Sequence, residues 1–149
     1  MRACHGQTSG FTLLEVMLAV AFITILASIP LLISLRFQSQ NQLRLTTTLI
    51  AHNLREAQLR AISGDHDVPW GVFVTDNDVT IFSGVAYANR DTANDIVTVF
   101  PTHVSVLGDT EIVFAKLIGM PNKRGSIRLE RDGVTPTVIS INEKGTVSF

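Results

Sequence analysis

Glu15 stands near the start of an almost wholly apolar run that extends from Phe11 to Leu35. A charged group at the centre of a lone membrane helix costs about 2.5–3.5 kcal/mol on insertion scales, so such a residue normally has a partner. Where the dielectric constant is low, that partner is a cation, because an unpaired buried carboxylate is costly. The run therefore predicts a charge-pairing site at Glu15.

The other candidate groups favour no enzymatic chemistry. The four histidines are scattered, and no nucleophile-elbow, metalloprotease or phosphate-loop motif is present. His103 and Ser105 have strand spacing, but any two alternate strand residues share a face. Asp65-His66-Asp67 could offer metal ligands, although adjacent residues seldom converge on one ion, and a solvated turn is the simpler interpretation. We predict a protein that is not an enzyme, with no catalytic residue, metal or cofactor.

A long helix must position the carboxylate. Residues 11–35 predict a transmembrane helix, because at about 1.5 Å per residue they match a hydrocarbon core of roughly 30 Å. Pro30 removes one backbone hydrogen bond and predicts a break in this helix, unless it is a tolerated membrane proline. Residues 36–63 predict an amphipathic continuation that ends at Ser63-Gly64, since glycine suits the helix C-cap. Its apolar stripe consists of Leu43, Thr47, Ile50, Leu54, Ala57 and Ala61.

Residues 64–149 predict a β-rich head, because an alternation of period two replaces the helical period. Asp76-Asn77-Asp78 predicts a hairpin turn, and residues 84–95 are predicted to be irregular. Strands are predicted at 70–75, 79–83, 96–100, 103–107, 111–117, 126–131, 137–141 and 146–149. The expected fold class is α+β: a long amino-terminal helix, transmembrane in its lower half and amphipathic in its upper half, packed on antiparallel, sandwich-like sheets.

The charge distribution disfavours a polyanionic partner. The net charge is −1, and residues 64–149 contain seven Lys and Arg against eleven Asp and Glu, a net charge of −4. The one cysteine, Cys4, excludes an intrachain disulfide. A basic stretch in the head comprises Lys123, Arg124, Arg128 and Arg131. We interpret it as a weak nucleic-acid patch or, alternatively, as solvated strand edges.

The residues around Glu15 resemble a known family. After a short polar leader, residues 1–10, the string Gly10-Phe11-Thr12-Leu13-Leu14-Glu15 is similar to the class III signal of bacterial type IV pilins and type II secretion pseudopilins. The resemblance implies that a prepilin peptidase cuts after Gly10 and that Phe11 becomes an N-methylated amino terminus. It also implies a salt bridge between Glu15 and the terminal amine of Phe11 in a neighbouring subunit. An ordinary signal anchor is the alternative.

The head resembles a subgroup of that family. Ala57-Gln-Leu-Arg-Ala61, Trp70-Gly71, Gly84 with Tyr87, and Lys144-Gly-Thr-Val147 are similar to segments of the H-type minor pseudopilins and FimT-like minor pilins. The resemblance implies a structural minor subunit near the tip of a type II secretion pseudopilus or type IV pilus. It also implies a location at the bacterial inner membrane, single-pass, with the head outside the cytoplasm.

Two alternative functions stay open within the family. The first is a DNA receptor for natural transformation, although Thr146 stands where such receptors have arginine, so DNA is not the expected partner. The second is a major pilin or pseudopilin, although the chain has neither a cysteine pair nor a clear acidic calcium loop. The expected partners are a prepilin peptidase, other pilin or pseudopilin subunits and the inner membrane.

Overall fold

The computed structural model describes residues 10–100 and 104–149, and for residues 28–37 it describes the backbone only. Two compact units divide the chain, Met1–Phe37 and Gln38–Phe149. Helix α1 spans Leu13–Ser63, and short 3₁₀ turns occur at Asp65–Asp67 and Tyr87–Asn89. In the described part of the chain the strands are β1 Trp70–Val74, β2 Asp78–Ser83, β3 Asp91–Val99, β4 Ser105–Gly108, β5 Glu111–Phe114, β6 Gly125–Glu130, β7 Thr137–Ile141 and β8 Val147–Ser148.

The prediction that the lower half of the long helix is transmembrane is wrong. Among the helical residues with described side chains, 13–27 and 38–63, no stretch is both long and apolar enough to cross a membrane. Residues 13–27 rise roughly 22 Å, less than the ~30 Å of a hydrocarbon core. The helix break predicted at Pro30 lies outside the residues whose side chains are described. The observed architecture is mixed α/β, in which two antiparallel sheets accompany α1.

The described strands form two four-stranded antiparallel sheets. Sheet A has the order β3-β2-β1-β5, and sheet B has the order β4-β6-β7-β8. The β1–β2 hairpin predicted from Asp76-Asn77-Asp78 is confirmed. Its turn is closed twice, because the Thr75 N–H donates to the Asp78 carbonyl and the Thr75 hydroxyl donates to the Asp78 carboxylate, both at 2.9 Å.

A single cluster of buried apolar side chains joins helix residues 43–61 to both sheets. The predicted stripe from Leu43 to Ala61 is buried at every position, which confirms that it is a core-facing stripe. Trp70 of β1 is 1% exposed, and its indole N–H donates to the Asp65 carbonyl at 3.0 Å. Because each large apolar side chain contributes about 1.5–3 kcal/mol by leaving water, this cluster accounts for most of the stabilisation of the second unit.

The end of α1 at Ser63 is also as predicted. Gly64 has φ 71°, in the left-handed region, and its N–H donates to the Ala61 carbonyl at 3.3 Å. The Leu117 N–H donates to the same carbonyl at 2.7 Å. The last turn of the helix is therefore fixed by a loop that lies far along the chain.

The start of β3 differs from the prediction. This strand begins at Asp91, so the irregular segment predicted for 84–95 is wrong from Asp91 onward. The register of the β2–β3 pairing shifts between Ile81 and Ser83, which accommodates the additional residues at the start of β3. Because β3 is an edge strand, its first residues are exposed and polar and lack the alternation that marks a half-buried strand. His103, the predicted start of the next strand, lies outside the described residues.

Candidate functional site

The bond between Gly10 and Phe11 lies outside regular secondary structure, immediately before α1. Both residues are exposed, and Phe11 retains 81% of its accessible surface. A Cβ atom at Gly10 would meet no described atom within 4 Å, and its backbone is not in the left-handed region. The fold therefore does not require glycine at this position. An accessible, irregular bond of this kind is a favourable site for proteolysis.

Thr12 and Glu15 form one half of a capping box at the start of α1. Thr12 is the N-cap, because the helix begins at Leu13, and its hydroxyl accepts the Glu15 N–H at 3.3 Å. The Thr12 carbonyl accepts the Val16 N–H at 3.2 Å, which is the first helical hydrogen bond. Thr12 is not among the residues predicted from the sequence, although the Thr-x-x-Glu spacing signals its role.

The Glu15 carboxylate is available to a partner. Its residue is exposed, and none of the described cations lies within ion-pair distance of it. A negative charge in the first turn of a helix is stabilised by about 0.3–1 kcal/mol through the helix dipole. Glu15 therefore has a local structural role, and its charge can still be shared with a second molecule. Phe11 and Glu15 both lie at the amino-terminal end of α1.

An exposed apolar surface, which we call the apolar helix segment, covers residues 11–27. Every residue of this segment is exposed in the first unit. Soluble monomers rarely expose contiguous apolar patches larger than a few hundred Å², and larger ones mark interaction surfaces. The large side chains concerned are Phe11, Leu13, Leu14, Val16, Met17, Leu18, Val20, Phe22, Ile23, Ile25 and Leu26.

The basic stretch predicted as a weak nucleic-acid patch is paired with carboxylates. Each of its first three cations lies beside an acidic side chain of the head, and Arg131 donates to the Gln42 side chain of α1. These contacts offset the positive potential that a polyanion requires. The three ion pairs are Lys123–Asp109 (2.7 Å), Arg124–Glu143 and Arg128–Glu130 (2.5 Å).

Asp109 is the best-anchored of these carboxylates. The Lys123 ammonium, followed by the Ser126 backbone N–H, lowers the pKa of Asp109 below its usual value, although partial burial opposes the shift. The Ser126 N–H donates to the second carboxylate oxygen at 3.2 Å. The negative charge beside Lys123 therefore persists at neutral pH.

The side chains of the Asp65-His66-Asp67 string pair with Arg60, with Lys116 and with each other. Asp65 pairs with Arg60 at 3.2 Å, and the His66 ring lies 2.9 Å from the other oxygen of the same carboxylate. Asp67 pairs with Lys116 at 2.5 Å. Within the ranges 10–100 and 104–149, no group of three or more His, Cys, Asp or Glu is placed to hold a metal ion. Of the pair His103 and Ser105, only the serine lies in the described part, where it opens β4.

Comparison of the whole chain with protein-family models, curated proteins and solved structures finds no match. Two features lie together at the amino-terminal end of α1: an accessible Gly10–Phe11 bond and the exposed Glu15 carboxylate. The apolar helix segment extends from that end.

Proposed function

We propose that this chain is a pilin-like structural subunit that is matured by a prepilin peptidase and assembled with other pilin or pseudopilin subunits. The assembly is a type II secretion pseudopilus or a type IV pilus, and the chain is a minor component near its tip. The observation that carries the proposal is the accessible Gly10–Phe11 bond, four residues before an exposed carboxylate. The proposal includes a location at the bacterial inner membrane, with the head outside the cytoplasm.

The apolar helix segment supports an assembly role. Residues 11–27 expose aliphatic and aromatic side chains on all sides of the helix, which favours burial against several neighbours. Burial of apolar area contributes about 25 cal/mol per Å², so helices of neighbouring subunits would gain substantially by packing here. The helix of each subunit then serves as the filament core, and its head contacts partners.

The Glu15 carboxylate supports a defined stagger between subunits. Cleavage after Gly10 gives Phe11 an α-amine whose unperturbed pKa is about 8, so it is mostly cationic at neutral pH. A neighbouring helix shifted by about one turn brings this amine level with Glu15. Because the carboxylate is exposed and unpaired among the described residues, that contact breaks no existing ion pair.

Cleavage and incorporation test the proposal together. The wild-type chain is coexpressed with an active prepilin peptidase, and its intact mass is measured. We expect loss of the ten leader residues, a block by Gly10→Leu, and normal cleavage in the matched leader variant Gly6→Leu. The cleaved chain should copurify with the major subunit of the assembly. An unchanged wild-type mass in the presence of active peptidase would refute the proposal.

A further inference from the structure

Two of the four outer edges of the two sheets are closed by other parts of the described chain, and a third belongs to a very short strand. On β4, the outward Val106 N–H donates to the Asp76 carboxylate at 2.8 Å. On β5, the Val113 carbonyl accepts the Asn122 N–H at 2.7 Å, and the Val113 N–H donates back to the Asn122 side chain at 3.2 Å. The fourth strand of sheet B, β8, has two residues. These are the devices by which natural sheets block further pairing.

The remaining edge, that of β3, has outward backbone groups at Val97 and Val99. In the β2–β3 ladder, the Phe100 N–H donates to the Asn77 carbonyl, so hydrogen-bonded pairs recur every two residues from there. Ile96 and Thr98 therefore bond toward β2, and the residues between and after them point their N–H and C=O groups away from it. None of the described residues bonds to those outward groups.

The β3 edge also lacks side chains that would protect it. Val97 and Val99 are 55% and 74% exposed. From Asp95 to Val99 the strand contains neither lysine nor proline. The Asp95 carboxylate pairs with Arg90 at 2.8 Å and is only 13% exposed. An edge that exposes valine side chains and free backbone groups is a template for another extended strand.

We propose that β3 pairs antiparallel with β3 of a second copy of this chain and joins two A sheets into one of eight strands. We choose a second copy as the partner of β3 because the other edges are blocked. Among its described strands, β3 is therefore the edge that a second copy can offer. Identical edges that meet in this way form a closed, two-fold interface. The proposal concerns the head and is independent of the proposed maturation and filament assembly.

The charges of β3 fit a register centred on Val97. In that register Val97 of the two copies lie opposite each other, and Asp95 of each copy lies opposite Val99 of the other. No like charges are then directly opposed, which would be destabilising in a strand pair. The pairing would form from two to about six backbone hydrogen bonds, so it is a weak contact suited to subunits that are held at high local concentration.

Disulfide trapping on the full chain tests this pairing. In a Cys4→Ser background, Val97→Cys would place two cysteines at the two-fold axis, with Cα atoms about 5.5 Å apart, within the range that a disulfide spans. Val85→Cys is the matched control, because Val85 is 70% exposed and lies in the segment between β2 and β3. Mild oxidation of the purified chains in detergent solution should give at least about fivefold more dimer from Val97→Cys.

A second substitution separates pairing from random collision. Val99→Pro in the Val97→Cys chain removes an outward N–H and leaves the ladder with β2 intact, so dimer formation should fall to the control level. Val99→Lys, which keeps the backbone N–H but adds a charge to the edge, should have the same effect and serves if the proline variant unfolds. Equal dimer yields from Val97→Cys and Val85→Cys would overturn the proposal. Trapping of a different protein at Val97 in cells would overturn the choice of a second copy.

Discussion

Glu15→Gln separates the local role of Glu15 at the start of α1 from its proposed role as an intersubunit partner. Glutamine has the same side-chain length and can complete a capping box as glutamate does, but it carries no charge. We therefore expect a correctly cleaved protein with a normal α1 and a defect in incorporation into filaments. The matched control is Thr12→Ala, which removes the 3.3 Å hydrogen bond to the Glu15 N–H and retains the carboxylate.

The size of each effect follows from the interaction that each variant would lose. A unit charge pair at 4 Å interacts by about 4 kcal/mol at an effective dielectric constant of 20. Desolvation of the exposed carboxylate opposes this gain, so the net loss in Glu15→Gln should resemble that of a charged hydrogen bond, about 1.5–3 kcal/mol. Incorporation should then fall about 10- to 150-fold. An exposed N-cap contributes about 0.5–1 kcal/mol, so Thr12→Ala should lower incorporation about two- to fivefold.

The assay is crosslinking or copurification of each variant with the major subunit. Intact mass checks cleavage, and the amount of variant in the membrane fraction checks its supply. Glu15→Asp should be intermediate, because it keeps the charge on a side chain shorter by one methylene. Wild-type incorporation of Glu15→Gln, or an equal loss in Thr12→Ala, would show that Glu15 acts as a capping residue and not as an intersubunit partner.

Three further predictions concern the head. Gly71→Ala should lower the urea midpoint by the equivalent of about 1–3 kcal/mol, because its Cβ would lie 2.4 Å from the buried Phe82 ring, and Phe82→Leu should recover part of that loss. Because its pKa is lowered in the folded state, Asp109 stabilises the fold above its unfolded pKa of about 3.9, and this stabilisation is lost as the pH falls through the folded pKa. Asp109→Asn should therefore make stability fall less steeply with decreasing pH, as measured by acid titrations followed by circular dichroism. The full chain should not bind duplex DNA at near-physiological salt in a fluorescence assay, and tight binding that alanine substitutions in the basic stretch weaken would instead favour the uptake receptor.

The parts of the fold that short-range chemistry determines could be predicted from the sequence. The hairpin turn at Asp76-Asn77-Asp78 and the helix end at Gly64 depend on residues that are adjacent in the chain. The buried stripe of α1 follows from helical periodicity alone. The capping box at Thr12 was equally local and could have been found from its spacing.

Features that depend on distant partners could not be predicted. Lys123 meets a carboxylate 14 residues away, and Arg124 meets one 19 residues away, so a linear count of charges gives no sign that these two cations are neutralised. The beginning of β3 at Asp91 depends on an exposed edge position, which allows a polar sequence to extend as a strand. The transmembrane prediction failed because it treated residues 11–35 as one uniform apolar segment, whereas the helical residues with described side chains include no stretch long and apolar enough.

The position of the N-cap has a consequence for the order of events. The Gly10–Phe11 bond, the proposed cleavage site, lies two residues before Leu13, so cleavage would leave Phe11 alone ahead of the Thr12 cap. The new ammonium group would then add to the partial positive charge of the helix amino terminus, where like charges repel by about 0.3–1 kcal/mol. Before cleavage, the Glu15 carboxylate balances the partial positive charge of its own helix end. After cleavage, the same carboxylate would face both that helix end and the new ammonium group. Cleavage would therefore determine when polymerisation begins, because uncleaved chains gain little electrostatic energy by associating and cleaved chains gain more.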